Sequence, residues 1–231
     1  MGEVSQSPDG LIVIIAKAPR AGKVKTRLCP PLNLSQAAVL YTAFLLDTVE
    51  LALKVSGVKV MVSCPTPEDA DELKNILPQA VGYIIQDNPG LTGALTEGFV
   101  KGLAAGFSKV LCISSDNPTL PGEYLAQGVQ SLETSDLALG PTDDGGYYLI
   151  GAKKVYPFLF NNMVWSTTTV MSETVKRAEE AALQVNVLPC WYDLDTGAEL
   201  ERFREELKSQ EPEAGFHTRQ ALSTVFIETA R

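Results

Sequence analysis

The segment between Leu11 and Leu28 constrains the fold of this chain more than any other. It opens with a continuous apolar run, Leu11 to Ala16, that is rich in isoleucine and valine. Such a run is typical of a strand in a parallel sheet whose two faces are both covered. A polar loop with proline and glycine follows it directly. This order predicts an α/β sheet with a ligand site beyond the carboxyl end of the strand.

The loop after this strand is strongly basic, although the whole chain has a formal net charge of −9. A basic loop with glycine at the carboxyl end of a strand lies where the phosphates of a ligand would be held. A solvated basic loop without a ligand would show the same spacing. The segment is neither a Walker A loop nor a Gly-x-Gly-x-x-Gly fingerprint. Its cations are Lys17, Arg20, Lys23, Lys25 and Arg27.

Strand-like and helix-like patterns alternate along the chain, which predicts a mostly parallel central sheet with right-handed crossovers and helices on both faces. Ser35 is the predicted N-cap of the first helix, and Ser166 or Thr167 is that of a helix in the second half. The predicted strands are 11–16, 58–63, 81–85, 109–113, 136–140, 147–150 and 185–188, and the predicted helices are 36–54, 67–77, 95–105, 121–132, a stretch after 167 to about 183, and 198–207.

The chain has 231 residues, of which 45% are hydrophobic and 20% are charged, and this composition fits one large α/β domain. We place the domain at residues 11–209, between a flexible N-terminus at 1–10 and a C-terminal tail at 210–231 that contains a short helix. The pI near 4.7 argues against a nucleic-acid partner, since binding the phosphate backbone requires a broad basic surface.

The N-terminal residues are polar and lack the positive region and apolar core of a secretory signal, and no apolar run has the length of a membrane span. We therefore expect a cytoplasmic protein without a membrane partner. The four cysteines lie far apart, which favours reduced thiols over disulfides or a zinc site. The single histidine, His217, gives no support to zinc binding or to a histidine-based triad.

Carboxylates follow two of the predicted strands. Asp116 comes just after the strand at 109–113, and Asp193 and Asp195 follow the strand at 185–188. On extended backbone the side chains of Asp193 and Asp195 face the same way. Carboxylate oxygens are preferred ligands of Mg²⁺. A shared metal site is one interpretation; an Asx-turn at Asp116 and a helix cap at Asp195 are the structural alternatives.

A second polar loop combines paired aspartates with paired glycines. In it, Asp143 and Asp144 precede Gly145 and Gly146, which allow a backbone to approach a ligand closely. A plain hairpin turn would use the same residues. Farther along the chain, the helix N-terminus expected near Ser166 would be able to face a phosphate or carboxylate.

Four motifs, taken in order, resemble a bacterial family of transferases. They are KAPRAGKVKTRL at 17–28, SDNP at 115–118, GPTDDGGYYLIG at 140–151 and WST at 165–167. Members are labelled glycosyltransferases, some with a presumed link to arsenosugars, and the resemblance extends over about residues 11–203. It implies the nucleotide-diphospho-sugar transferase fold of the GT-A type in a single domain.

Two segments, 17–28 and 193–196, also resemble the more distant 2-phospholactate guanylyltransferases, in which such carboxylates hold Mg²⁺. One segment departs from the labelled family. Residues 93–98 read GALTEG, where the family carries Asp-Leu-Gly-x-Arg, so no arginine is present there. Contacts of that family loop are not transferred to this chain.

The resemblance and the charge of a nucleotide ligand together assign roles to individual residues. Lys25, Asp116 and Asp144 are the predicted catalytic residues. Asp116, Asp193 and Asp195 are the predicted ligands of Mg²⁺ or Mn²⁺. The predicted phosphate-binding residues are Lys17, Gly22, Lys25, Thr26 and Arg27, and the predicted acceptor-binding residues are Asp143, Asp144, Gly145, Gly146, Ser166 and Thr167.

Two reactions fit these residues. In glycosyl transfer the donor is a nucleotide sugar and a nucleoside diphosphate leaves, whereas in nucleotidyl transfer the donor is a nucleoside triphosphate and pyrophosphate leaves. The resemblance favours glycosyl transfer, whereas the basic loop and the paired aspartates Asp193 and Asp195 favour nucleotidyl transfer. A third hypothesis is a non-catalytic nucleotide-binding protein. The base, sugar, small-molecule acceptor and oligomeric state do not follow from the sequence.

Overall fold

A computed structural model describes residues 8–206 and 215–229 of the chain. In that part the strands are β1 Gly10–Ile15, β2 Val58–Cys64, β3 Gly82–Ile85, β4 Lys109–Ile113, β5 Leu137–Pro141, β6 Tyr147–Ala152 and β7 Val185–Val187. The α-helices are α1 Leu34–Leu53, α2 Pro67–Lys74, α3 Leu91–Ala104, α4 Gly122–Ser131, α5 Val170–Glu180, α6 Gly197–Glu206 and α7 Phe216–Thr229, and short 3₁₀ turns cover Thr26–Leu28 and Pro157–Leu159.

The strands form one sheet in the order β3-β2-β1-β4-β6-β5-β7. Strand β1 lies in the middle and pairs in parallel with β2 and with β4. Strand β6 is antiparallel to both of its neighbours, while β7 pairs in parallel with β5. The predicted α/β fold with a mostly parallel sheet is therefore confirmed.

Strand β1 is buried on both faces, as its apolar run predicts. Ile12 and Ile14 belong to the core on the side of α1, whereas Leu11 and Val13 belong to the core on the side of α3. All of these side chains have an exposed fraction of 0%. Each such burial stabilises the fold by about 1.5–3 kcal/mol. The loop that follows β1 consequently starts from one of the most firmly held points of the domain.

Three predicted helix starts are wrong, and one of them is that of α3, which begins at Leu91 rather than near residue 95. Helix α1 is capped by Asn33 rather than Ser35, because Asn33 and Gln36 form a reciprocal capping box. Helix α5 begins at Val170 with Thr169 in the cap position, so Ser166 and Thr167 lie in the preceding loop. Asn33 caps α1 with its side chain, whereas Thr169 precedes α5 without a side-chain cap hydrogen bond.

Helix α7 packs against α1. The carboxylate of Asp47 accepts hydrogen bonds from the backbone nitrogens of His217 and Thr218, both at 2.9 Å, and from the Thr218 hydroxyl at 2.6 Å. The ring of His217 also pairs with Glu50 at 2.8 Å. The helix expected in the C-terminal tail is thus held on the domain, and it spans 14 residues.

The ends of the predicted domain fall partly outside the described residues. Residues 1–7, where most of the predicted flexible N-terminus lies, and residues 207–214, around the predicted domain end, are not among them. The described part of the N-terminus is tied to the sheet. The backbone oxygen of Asp9 accepts a hydrogen bond from the nitrogen of Ser108 at 2.8 Å, and β1 already begins at Gly10.

Helix α1 is long and apolar enough, by length and composition, to cross a membrane. The expectation that no run reaches that length is wrong in this respect. The helix is nevertheless mostly buried within the fold, where Leu40, Phe44 and Leu45 are fully covered. A buried core helix passes the same test, so this finding is weak evidence for a membrane span.

Candidate active site

A cleft of about 1070 Å³ opens at the carboxyl ends of the central strands. The loop after β1 forms its floor, the loops after β2 and β3 form one side, and the loops after β4, β5 and β7, with the segment before α5, form the other. Ligands of open α/β sheets bind at this edge, where the sheet changes its winding direction. Lys25, Asp116, Asp144, Asp193 and Asp195 all line the cleft.

Lys25 is the most buried cation of the cleft. Its side chain is 5% exposed, and its Nζ lies 2.8 Å from Oδ1 of Asp116 and 2.7 Å from Oδ1 of Asp195. Its backbone is in the left-handed region, with φ 47° and ψ 37°, which is uncommon for a residue with a side chain. Burial alone would lower the pKa of Lys25, but the charges of Asp116 and Asp195 raise it above its ordinary value. Lys25 is therefore firmly cationic.

The segment that carries Asp193 and Asp195 is anchored by the residue between them. Leu194 is fully buried, and its nitrogen donates to the backbone oxygen of Asp116 at 3.0 Å. Glu199 accepts from the nitrogens of Asp195 and Thr196 at 2.7 Å each. The two aspartates thus flank an apolar anchor and reach the same cleft, as the alternation of side chains predicts.

The two aspartates have different partners. Asp195 pairs with Lys25 and, through Oδ2, with Nη1 of Arg27 at 3.1 Å. Burial would raise the pKa of Asp195, but these cations outweigh it and lower the pKa. Asp193 instead accepts a 2.6 Å hydrogen bond from Nδ2 of Asn117. Burial, together with the charge of Asp116, raises the pKa of Asp193 to about 7.

This charge pattern fits one hard cation at Asp116 and Asp193. Burial of Asp193 is the main cause of its raised pKa and the charge of Asp116 is the second, and a divalent cation beside the two carboxylates would relieve their repulsion. Asp195 is already neutralised by Lys25 and Arg27. Within residues 8–206 and 215–229, no group of three or more His, Cys, Asp or Glu side chains forms a metal site. The three predicted ligands nevertheless line the same cleft, and their assignment to a metal stays a prediction.

The remaining predicted phosphate-binding residues lie in the same loop. Lys17, Thr26 and Arg27 line the cleft and have exposed side chains, and Lys23 lines it as well. Gly22 supplies a turn with φ 75° and is not part of the lining. Among the described residues, every lysine or arginine that lines the cleft comes from this loop.

Arg20 is the cation of the loop that does not face the cleft. Its guanidinium pairs with Asp69 at 3.0 Å and with Glu72 at 2.7 Å, both on α2. Asp69 also accepts a hydrogen bond from the nitrogen of Ala18 at 3.2 Å. Arg20 therefore fastens the basic loop to the fold.

The loop after β5 forms the opposite wall. Asp144 accepts hydrogen bonds through Oδ1 from the Thr142 hydroxyl at 2.6 Å and from the Gly146 nitrogen at 2.9 Å, which makes an Asx-turn. Gly145, with φ 90°, packs so closely that a Cβ there would lie 2.2 Å from the backbone oxygen of Thr168. This glycine serves the packing of two loops against each other.

Asp143 points elsewhere. It pairs with Arg202 of α6 at 3.3 Å and does not line the cleft. Of the two aspartates that the sequence offers for the acceptor or for a general base, Asp144 is the one that faces the cleft. The two aspartates are adjacent in the chain, and their side chains point in different directions.

The loop before α5 contributes an aromatic surface. Trp165 lines the cleft, and its Nε1 donates to the hydroxyl of Thr92 at 2.8 Å. Its ring also meets Tyr147 edge to face at 6.4 Å between centroids. Ser166, with φ 60°, and Thr167 line the cleft next to it, and the Thr167 hydroxyl donates to the Val164 oxygen at 2.8 Å.

Residues 93–98, which depart from the family pattern, hold the loop before α3 in place. Glu97, which is 7% exposed, accepts from the nitrogens of Asp87 and Asn88 at 2.8 and 2.7 Å. A Cβ on Gly93 would lie 2.3 Å from the backbone oxygen of Asn88. Residues 87–90, most of which line the cleft, are thus held on the first turns of α3.

The roles of several residues in the site were not predicted from the sequence. Asn117 reads as part of a turn before proline, yet it holds Asp193. Tyr41 reads as a core position of α1, yet its hydroxyl lies 3.0 Å from that of Ser115 beside Asp116. Trp165 and Thr92 meet only in three dimensions. The one signal present in the sequence is the polar run Ser114 to Asn117 directly after a buried strand.

The chain was compared with known families and structures. Residues 48–167, more than half of the chain, match the family described as "Uncharacterized protein conserved in bacteria (DUF2064)". This range includes Asp116, Asp144 and Trp165. A comparison with curated proteins found no match.

Three solved structures share the fold. A protein of Desulfovibrio desulfuricans with the provisional name nucleotide-diphospho-sugar transferase is 26% identical, with a TM-score of 0.86 over 95% of this chain and 97% of that one. CMP:2-keto-3-deoxy-manno-octonic acid synthetase, solved with CTP, is 15% identical, with a TM-score of 0.54 over 86% and 98%. A Mycobacterium tuberculosis protein solved with manganese is 15% identical, with a TM-score of 0.53 over 85% and 97%.

Proposed function

The chain belongs to the bacterial DUF2064 family, and we propose that it is a divalent-metal-dependent glycosyltransferase that uses a nucleotide-diphosphate sugar as donor. The observation that carries this proposal is the separation of charge in the cleft. Every cation of the described lining lies on the loop after β1, while the wall of Asp144 and Trp165 carries none. The arrangement suits an anionic donor and an uncharged hydroxyl acceptor.

The donor side of the proposal rests on the basic loop. Lys17 and Arg27 are exposed toward the cleft and suit a diphosphate, Arg by bidentate contact and Lys as a point charge. Thr66 and Gln86 line the neighbouring part of the cleft, and residues 87–90 close it. This region has the depth and the mixed polarity that a nucleoside requires.

The acceptor side rests on Asp144 and its surroundings. A phosphorylated acceptor would meet Asp144 and Asp193 without a cation among the described residues of that wall. A hydroxyl acceptor would instead find a carboxylate able to take its proton. The ring of Trp165 offers an apolar face of the kind that packs against the carbon-bound hydrogens of a sugar or similar ring.

The proposed reaction follows from these placements. The acceptor oxygen attacks the anomeric carbon of the donor, and Asp144 takes the hydroxyl proton. The bond between the anomeric carbon and the phosphate oxygen breaks, and its electron pair stays on the departing nucleoside diphosphate. Lys17 and Arg27 stabilise the charge that develops on that phosphate. Attack from the side opposite the phosphate inverts the configuration of the sugar.

A divalent cation such as Mg²⁺ or Mn²⁺ would be held by Asp116 and Asp193, and it would neutralise part of the diphosphate charge. The manganese complex of the Mycobacterium tuberculosis protein supports a metal in this fold. Asn117 would then orient Asp193, to which it donates a hydrogen bond.

Nucleotidyl transfer is the second candidate, and the density of cations favours it. Lys17, Lys23 and Arg27 all reach the cleft from one loop, which is more charge than a diphosphate needs. The synthetase solved with CTP has this fold as well. In that reaction the donor is a nucleoside triphosphate and pyrophosphate leaves. The arsenosugar association and the likeness to 2-phospholactate guanylyltransferases stay predictions from the sequence.

Thermal unfolding with a ligand panel separates the candidates. A ligand at 100 times its dissociation constant stabilises the fold by about 2.7 kcal/mol. With Mn²⁺ present, we expect stabilisation by a nucleotide sugar and by its nucleoside diphosphate. Stabilisation by one nucleoside triphosphate alone would select nucleotidyl transfer. The third hypothesis is a non-catalytic nucleotide-binding protein. It would be supported if the protein binds a nucleotide and the Asp116→Ala substitution removes no transfer activity.

A further inference from the structure

We propose that Lys25 serves as a permanent cation in place of a second divalent ion, so that the site holds one metal ion and one ammonium. The inference rests on the proposed function only in assuming that Asp116 and Asp193 hold a metal. The carboxylates of the site are divided between one metal ion and the ammonium of Lys25. Lys25 then balances carboxylate charge in addition to any contact with phosphate.

The geometry around Lys25 is that of a bridging cation. Its Nζ touches one oxygen of Asp116 and one oxygen of Asp195, at 2.8 and 2.7 Å. These are distances of charge-assisted hydrogen bonds, and they exceed the 2.0–2.1 Å of bonds from Mg²⁺ to oxygen. A two-metal site would place its second ion between the same two carboxylates. The ammonium therefore occupies the position that a second ion would need.

Several contacts hold Lys25 in this position, and moving its side chain would break them. Its side chain is 5% exposed and runs past the ring of Phe44, with Nζ 5.8 Å from the ring centre. The neighbouring Leu28 is fully buried, and its nitrogen donates to the Lys25 backbone oxygen at 3.1 Å, which fixes the loop. A strained left-handed backbone at Lys25 persists because these contacts determine it.

The division of the carboxylates leaves room for one metal ion. Asp195 is matched by Lys25 and by Arg27, so its charge is already balanced. Asp116 is shared, with one oxygen on Lys25, and Asp193 has the amide of Asn117 as its polar partner. An ammonium has three hydrogens. Two of them face Asp116 and Asp195, and the third is available to an oxygen of a bound phosphate.

The test is the number of Mn²⁺ ions that the full chain binds, counted by titration with detection of free Mn²⁺ by electron paramagnetic resonance. We expect one Mn²⁺ per chain in the natural protein. The Lys25→Met variant keeps the carbon chain but removes the ammonium between Asp116 and Asp195, which leaves Arg27 as the cation beside Asp195, and we expect it to bind two. Lys23→Met removes one cation from the same loop and serves as the matched control, for which the number stays at one.

Each outcome decides the matter. Two Mn²⁺ ions on the natural protein, or one on a folded Lys25→Met variant, would overturn the proposal. Lys25→Arg keeps the charge and should keep one ion; two ions on it would also count against Lys25. If Lys25→Met does not fold, the ion count of the natural protein and of Lys25→Arg still decides.

The results that would contradict the proposed function differ from those that would contradict the role of Lys25. A protein that binds one Mn²⁺, gains a second in Lys25→Met, and is stabilised by a nucleoside triphosphate rather than a nucleotide sugar would keep the role of Lys25 and lose glycosyl transfer. Binding of no Mn²⁺ by either protein would overturn both the role of Lys25 and the metal dependence of the proposed function, while the thermal panel would still report the donor.

Discussion

Asn117 holds Asp193 by a 2.6 Å hydrogen bond from Nδ2 to Oδ1, and the same nitrogen donates to the backbone oxygen of Tyr192 at 2.7 Å. This one buried amide links the loop after β4 to the segment before α6. The hydrogen bond lowers the pKa of Asp193, but burial and the charge of Asp116 outweigh it and raise the pKa to about 7. Without a metal, Asp193 therefore keeps its proton to a higher pH than an ordinary aspartate does.

The first prediction concerns pH and metal. Because the pKa of Asp193 is raised in the folded protein, its contribution to stability is present at low pH and is lost as pH rises through about 7. Metal binding requires the deprotonated form, so it releases a proton. We expect Mn²⁺ affinity to increase from pH 6 to pH 8, as measured by calorimetry in buffers of different ionisation enthalpy.

Asp193→Asn is the variant that checks this assignment. It removes the titrating group but keeps a side chain that can pair with Asn117. We expect it to lose the proton release and most of the Mn²⁺ affinity, and to be no less stable without metal at pH 8 than at pH 6. An unchanged proton release would mean that Asp193 is not the group that loses the proton.

The second prediction separates the paired aspartates. Asp144 faces the cleft, whereas Asp143 pairs with Arg202 outside it. As the proposed general base, Asp144 would contribute about 100- to 10,000-fold to the rate. We expect Asp144→Asn to lower kcat by a factor in this range with little change in donor binding. Asp143→Asn is the matched control, and equal losses in both variants would argue for a structural effect on the loop.

The third prediction concerns the loop at residues 87–90. A methyl group at Gly93 would lie 2.3 Å from the backbone oxygen of Asn88, so the loop has to move. Overpacking of this kind costs about 1–3 kcal/mol. We expect Gly93→Ala to raise the KM for the donor by about tenfold. Gly122→Ala is the control, because the nearest atom there is the flexible end of Leu51 at 3.1 Å.

The fourth prediction concerns the junction of α1 and α7. Asp47→Ala leaves two backbone nitrogens and the hydroxyl of Thr218 without their acceptor. Loss of a partner for buried donors costs about 1–3 kcal/mol, and we expect chemical denaturation to show a loss of this size. Glu50→Gln removes the more exposed partner of His217, and we expect it to cost less than about 1 kcal/mol. Equal losses would mean that Asp47 has no special role.

Much of the fold follows from local patterns. The apolar run of β1, with alternate residues buried on opposite faces, predicts a central strand, and the alternation of strands and helices predicts a mostly parallel sheet. The cap at Asn33 and the start of α5 at Val170 were missed, since several polar neighbours satisfy the same local rule. Cap geometry depends on the direction in which the chain enters the helix.

The sequence by itself determined that a basic loop follows a buried strand and that carboxylates follow two others. Only the tertiary structure decided which of these groups meet. Lys25 and Asp195 are 170 residues apart, and their contact depends on the order of the strands and on the anchoring of Leu194 beside Asp116. Local propensity carries no information about such pairings, because they form when distant apolar segments pack into one core. For this reason Lys25, expected among the phosphate ligands, is found between two aspartates.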